Sequence, residues 1–296
     1  MRDGFYDNRD IIRELCNSTR SYQIEGAPEE DGRGPLFGTT FCTKIPGKIA
    51  DGSSGDVACD SYHRTSEDIA LLKLTGAQAY RFSISWSRII PLGGRNDPVN
   101  PRGIAYYTKL VDDLLSEGIT PFVTLFHWDL PDELDKRYGG LLNKKEFVKD
   151  YAHYARVLFQ AIPRVKNWIT FNEPCDRSKS DVGDSSREPW TVGHNLLIAH
   201  GAAVKIYREE FKPKMVVKLE LLSMVTPCTP GTPKIPRTVE AAERKLEFSI
   251  SWFADPIYLG KYPDSMRKQL GERLPTFTDE EIALVKGSND FYGMNH

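Results

Sequence analysis

A side-chain amide and a carboxylic acid stand next to each other at Asn172-Glu173, with a proline immediately after. Such a pair can offer a hydrogen bond to a substrate hydroxyl beside a titratable oxygen. The preceding residues, Trp168-Ile169-Thr170-Phe171, are strand formers. Pro174 has no N–H for a ladder and biases its predecessor away from helix. The strand must therefore stop near Glu173 and present its carboxyl group at a strand's carboxyl end, where parallel α/β folds carry their chemistry. Taken alone, Asn-Glu-Pro also fits a solvated turn. The same arrangement recurs, however. The apolar run Ile119 to Phe126 leads into His127-Trp128-Asp129, and the stretch Ala77 to Trp86 holds Arg81 within it. An arginine in a buried strand demands compensation, ideally a carboxylate. His127 alone could be a satisfied half-buried histidine, and Trp128 alone could be core.

The elements that must position these groups alternate along the chain. A helix is expected after Asp60, capped by Thr65 with Asp68 three residues on, its apolar face made by Ile69, Leu71, Leu72 and Leu74. Strand 77–86 follows, then helix 103–117, strand 119–126, helix 145–161 and strand 165–171. Further on come helix 190–210, a strand over 215–222, a proline-rich loop over 224–236, helix 239–253 and a strand-like run from Asn289 to Asn295. Residues 1–21 read as irregular, with at most a helical turn at 12–16. Strand–helix alternation with short joints predicts βαβ units and a parallel sheet, an α/β fold, with strands apolar on both faces. If the sheet closes into a barrel, the polar strand ends converge on one mouth.

The 296 residues carry a net charge of -2, which gives no case for nucleic acid or an anionic membrane as partner. The five cysteines are odd in number and match no zinc spacing, so no metal or other cofactor is expected. Free thiols in a reducing, cytoplasmic compartment are the simplest account. The charged first ten residues do not read as a signal peptide, and no stretch has the apolar length of a membrane span. Asn17-Ser18-Thr19 fits a glycosylation sequon by chance in that compartment.

Several long motifs in order extend this reading. They are Tyr22-Gln23-Ile24-Glu25-Gly26, Tyr80 to Arg88 (YRFSISWSR), Thr124 to Pro131 (TLFHWDLP), Trp168 to Pro174 (WITFNEP) and Asn289 to Asn295 (NDFYGMN). Together they resemble the β-glucosidases of glycoside hydrolase family 1, in wording nearest to intracellular fungal members, from about Tyr22 to His296. The resemblance implies a (β/α)8 TIM barrel over a single domain, 1–296, and retaining hydrolysis of a small β-glucoside or cellobiose-like sugar. It implies Glu173 as the general acid and then base. Asn172 would hold the sugar 2-hydroxyl, Gln23 and His127 would grip other hydroxyls, and Trp128 would shape that pocket. Arg81 would keep the nucleophilic carboxylate ionised, and Asn295 would lie near the same floor.

Retaining chemistry needs a second carboxylate about 5 Å from the first. The family's Thr-Glu-Asn-Gly nucleophile motif is absent from these 296 residues. About six of the eight βα units are expected, hence an incomplete barrel without hydrolytic activity of its own. A sugar-binding partial barrel and a truncated gene product are the alternatives. The segment from Arg13 to Arg20 also departs from the small, apolar run usual before Tyr-Gln-Ile-Glu-Gly.

Overall fold

The computed structural model describes residues 16–36, 49–174, 183–212, 218–224, 236–291 and 293–295. Their strands form one parallel sheet in sequence order: β1 (Cys16–Ser18), β2 (Ala79–Ser83), β3 (Thr120–Phe126), β4 (Asn167–Asn172), β5 (Lys218–Met224) and β6 (Gly293–Asn295). Among the described residues β1 and β6 end that order. The strand-by-strand progression is the winding of an α/β barrel, here with six strands.

Helices sheathe one face of the sheet. They include α1 (Ser61–Leu74), α2 (Pro101–Ser116), α3 (Lys144–Ala161), α4 (Glu188–Ile206), α5 (Pro236–Leu246), α6 (Trp252–Leu259) and α7 (Asp279–Val285). Local chemistry sets their starts. Asn100 caps α2 by accepting from Arg102 N–H, with Pro101 as the first helical residue. Asn143 caps α3 through Glu146 N–H, and Thr278 with Glu281 forms a capping box on α7. The main apolar core lies between sheet and helices. At its centre Trp86 stacks on Tyr154, ring centroids 4.7 Å apart and ring planes nearly parallel. Tyr154 and Tyr151 of α3 donate to the carbonyls of Leu125 and Thr170, tying the helix to β3 and β4. A second, small cluster of Ala79, Phe122 and Ile169 packs with Phe291 on the inner side.

One irregularity aims the site. The β4–β5 register shifts between Ile169 and Phe171. Ile169 joins the inner cluster. Thr170 bonds His200 of α4, and Phe171 stacks on Tyr151 of α3, so two consecutive side chains face the helices. Asn172 is thereby returned to the inner face, where it meets Arg81. A regular strand would send it outward.

Several expectations need correction. Cys16–Ser18 is a strand, paired with Ala79, Tyr80 and Arg81, where irregular chain was expected. α1 begins at Ser61, and Thr65 lies inside it, donating to the Ser61 carbonyl instead of capping. Ile69 and Leu72 are buried, but Leu71 and Leu74 face solvent, because one helical turn cannot put all four on one side. β2 ends at Ser83; Trp86 opens a short helix, Trp86–Ile89, and belongs to the outer core, not to the mouth. Two helices run through a wider turn, at Tyr207–Phe211 and Glu247–Ser251, which splits the expected helix over 239–253. Of the turn expected at 12–16, residues 12–15 lie outside the described residues and Cys16 opens β1; most of the proline-rich loop and the 175–182 segment after Pro174 also lie outside them. No helix among the described residues is long and apolar enough to cross a membrane.

Candidate active site

The mouth is built from the carboxyl ends of β1 to β4. Arg81 of β2 lies on the inner face, buried. Its Nε donates to Thr124 Oγ1 of β3 at 3.1 Å, Nη1 to Ser18 Oγ of β1 at 3.3 Å, and Nη2 to Asn172 Oδ1 of β4 at 2.5 Å. One guanidinium therefore ties the strand ends together, using the planar fork that lysine lacks.

The bond from Arg81 fixes the Asn172 amide, since the oxygen must face the donor. Its nitrogen then donates to His127 Nε2 at 2.9 Å. A ring nitrogen that accepts cannot carry a proton, so His127 is neutral with its hydrogen on Nδ1. Burial, then the nearby Arg81 and Arg20 charges, push His127 down to about 3, which agrees with that state. His127 Nδ1 is buried and has no hydrogen-bond partner among the described residues. Leaving a buried donor unmet is costly, so this N–H is an open end that a ligand oxygen can fill.

Both strand ends then turn through left-handed backbone. Trp128 has φ 69° and Glu173 has φ 42°, which is unusual for residues with a Cβ. The two turns brace each other. Trp128 Nε1 donates to the carbonyls of Asn172 at 3.0 Å and Glu173 at 3.2 Å. The Trp128 ring remains 42% exposed and so presents an aromatic face at the rim. Asp129 behind it is fully buried and takes hydrogen bonds from His127 N–H and Ser21 Oγ. Burial raises its carboxyl to about 6.

Gln23 sits on a helical turn, Ser21–Ile24, directly after β1, and is exposed. That turn is held from below. Ser21 N–H donates to Ser83 Oγ, and Thr19 Oγ1 meets Tyr80 OH at 2.6 Å. Its last residue precedes Glu25, which is buried against Arg88 at 3.2 Å and accepts from Tyr107 OH at 2.6 Å. Asn295 places its backbone on β6 beside Met224; its side chain lies outside the described residues.

The structure thus joins Arg81, Asn172 and His127 directly, and sets Trp128 and Glu173 against them. Gln23 lies on the neighbouring turn without a described contact to the others. Asp129 was read with His127 and Trp128 as a polar strand end, whereas Ser18, Thr124 and Arg20 were not singled out from sequence. Thr124 carries a readable signal, since it lies in the same strand three residues before His127; Ser18 and Arg20 do not. No cluster of His, Cys, Asp and Glu fit for a metal ion occurs among the described residues.

Comparison with known proteins gives this geometry a context. The model of glycosyl hydrolase family 1 matches residues 15–296. A Phanerodontia chrysosporium protein, beta-glucosidase 1B, is 53% identical over 297 residues, covering 94% of this chain and 55% of the relative. The crystal structure of a family 1 β-glucosidase from the fungus Humicola insolens, in complex with glucose, superposes with a TM-score of 0.92 at 64% identity, over 96% of this chain and 63% of that one. The β-glucosidase from Trichoderma harzianum gives a TM-score of 0.92 at 60% identity, over 96% and 62%. The chain thus spans between 55% and 63% of the length of these relatives. Six parallel strands in sequence order, a site at their carboxyl ends, and matches of this extent place it with the (β/α)8 glycosidases: the chain belongs to glycosyl hydrolase family 1.

Proposed function

We propose that these residues form the proton-donating side of a retaining β-glucosidase site. Glu173 is the general acid that protonates the leaving oxygen of a small β-glucoside or cellobiose-like sugar, and then the base that activates water. Asn172 holds the 2-hydroxyl, and its orientation is already set by Arg81. His127 Nδ1–H and Gln23 take further hydroxyls, Trp128 stacks at the rim, and Asn295 borders the floor. Arg81 supports the opposing carboxylate that such chemistry needs. The observation that carries this reading is the hydrogen-bond chain from Arg81 through Asn172 to His127, which ends in a buried N–H with no acceptor among the described residues, one residue from Trp128. The odd cysteine count suits a reducing, cytoplasmic compartment.

The 296 residues contain no Thr-Glu-Asn-Gly motif. On their own they therefore hold a sugar without turning it over. Calorimetry with glucose should give heat, and a nitrophenyl β-glucoside should release no nitrophenol above buffer. Absence of heat at millimolar sugar removes the site. Turnover that Glu173→Gln abolishes would show that another acid of this chain serves as nucleophile.

A further inference from the structure

Arg20 is a charged residue at the mouth to which the proposed reaction gives no role. It follows β1 by two positions, on the segment between Ser18 and the turn that carries Gln23. Its guanidinium lies over the Trp128 ring, 5.1 Å from the centroid. Trp128 in turn is bonded to the Asn172 and Glu173 carbonyls. Arg20 therefore stands within the same ring of groups as the general acid. Among the described residues its buried Nε has no hydrogen-bond partner, and no carboxylate forms an ion pair with it. Asp129 is near enough to act on it electrostatically, but its two oxygens are bonded by His127 N–H and Ser21 Oγ and make no ion pair with Arg20 among the described residues. Partial burial lowers the affinity of Arg20 for its proton, while Asp129 and Glu173 oppose that effect.

A half-buried cation with donors to spare is an expense to the fold unless something anionic arrives. Arginine's fork matches a carboxylate in two parallel hydrogen bonds. The adjacent Trp128 face offers an apolar surface for a sugar ring. Glu173 lies in the same field, so the cation also offsets the repulsion between that carboxylate and an incoming one.

We propose that Arg20 is a specificity-determining residue that selects β-glycosides carrying a carboxylate over neutral ones. This rests on the sugar site proposed above. The Arg20 side chain pairs with the carboxylate, while Asn172 and His127 hold ring hydroxyls as they would for a neutral sugar.

The test is calorimetry of the chain with glucose and with glucuronate, repeated for Arg20→Ala and Arg20→Lys, with thermal melting as the folding control. The native chain should bind glucuronate about tenfold more tightly than glucose, as one charge-assisted pair allows. Arg20→Ala should bring the ratio of the two affinities close to one. Arg20→Lys should keep part of the ratio, because charge remains and the fork is lost. A native ratio near one, or a ratio that survives Arg20→Ala in a chain that melts normally, overturns the inference and leaves the sugar site standing. If neither sugar binds the native chain, the site itself fails and this inference fails with it. If Arg20→Ala does not fold, the native and Arg20→Lys ratios decide: equal preference for both sugars in each overturns it.

Discussion

Two arginines from one motif, Arg81 and Arg88, are buried in opposite ways, and the contrast separates what holds this molecule from what it holds. Arg88 lies outside the sheet, fully buried. It pairs with Glu25, lies 4.0 Å over the Tyr62 ring, and shares Glu25 with the Tyr107 hydroxyl, which itself accepts from Ser85 N–H. Charge meets charge there, and Tyr107 OH closes the network on itself. Arg81 lies on the inner face and bonds the side chains of Thr124, Ser18 and Asn172, one on each of three other strands. From Asn172 a branch runs on to His127, whose Nδ1–H has no acceptor among the described residues. Closed networks fix structure, and a network with an open end costs stability for the sake of a ligand.

The sharpest way to break this contrast is Glu25→Gln. The amide still fits beside Tyr107, but the Arg88 cation loses its counter-charge inside the protein. Removing one member of a buried pair costs about 3–5 kcal/mol. Urea unfolding should show that loss, and the Gln23 turn, which Glu25 follows, should become more open to hydrogen exchange. A loss under about 1 kcal/mol, the range of exposed pairs, would mean that the Arg88 site is not the clamp described here.

On the inner face the counterpart is Asn172→Ala. It removes one acceptor from Arg81 and the donor to His127 Nε2. Each polar group so deprived costs roughly 1–3 kcal/mol, less where water enters. The two groups together put destabilisation at roughly 2–6 kcal/mol, comparable to that of Glu25→Gln, while the heat of glucose binding should vanish only here. Retained glucose binding would separate Asn172 from the site, and loss of glucose binding in Glu25→Gln as well would erase the contrast.

How much of this was legible in the sequence follows the same division. The runs 119–126 and 165–171 were readable as strands because continuous apolar residues suit a sheet covered by helices. The strand ends at His127 and Glu173 could be placed from them. β1 was not readable: Cys16-Asn17-Ser18 has no strand propensity, and its pairing with Ala79, Tyr80 and Arg81 alone makes it a strand. The inward turn of Asn172 depends on the irregularity between Ile169 and Phe171, a choice made by His200 and Tyr151 on two separate helices. Arg81 draws on a serine, a threonine and an asparagine brought from three other strands, which its own motif does not announce. Composition shows that a buried cation needs compensation, but only the tertiary contacts show what supplies it. Arg20 carried no sequence signal beyond standing in an unusual stretch.

The finest version of the contrast concerns Trp128, whose backbone strain belongs to the open network. Its φ of 69° is comfortable for glycine and costs other residues roughly 1–2 kcal/mol. Trp128→Ala keeps that cost and loses the two hydrogen bonds to the Asn172 and Glu173 carbonyls. Trp128→Gly loses the same bonds and most of the ring's contacts, yet releases the strain. The glycine variant should therefore be the more stable of the two by about 1 kcal/mol, the reverse of their order in ordinary helix or strand. Thermal melting of both variants reads this difference directly, and in both the aromatic face for the sugar is gone. If alanine is the more stable, the left-handed turn at Trp128 is not strained, and the mouth is held by its hydrogen bonds at no backbone cost.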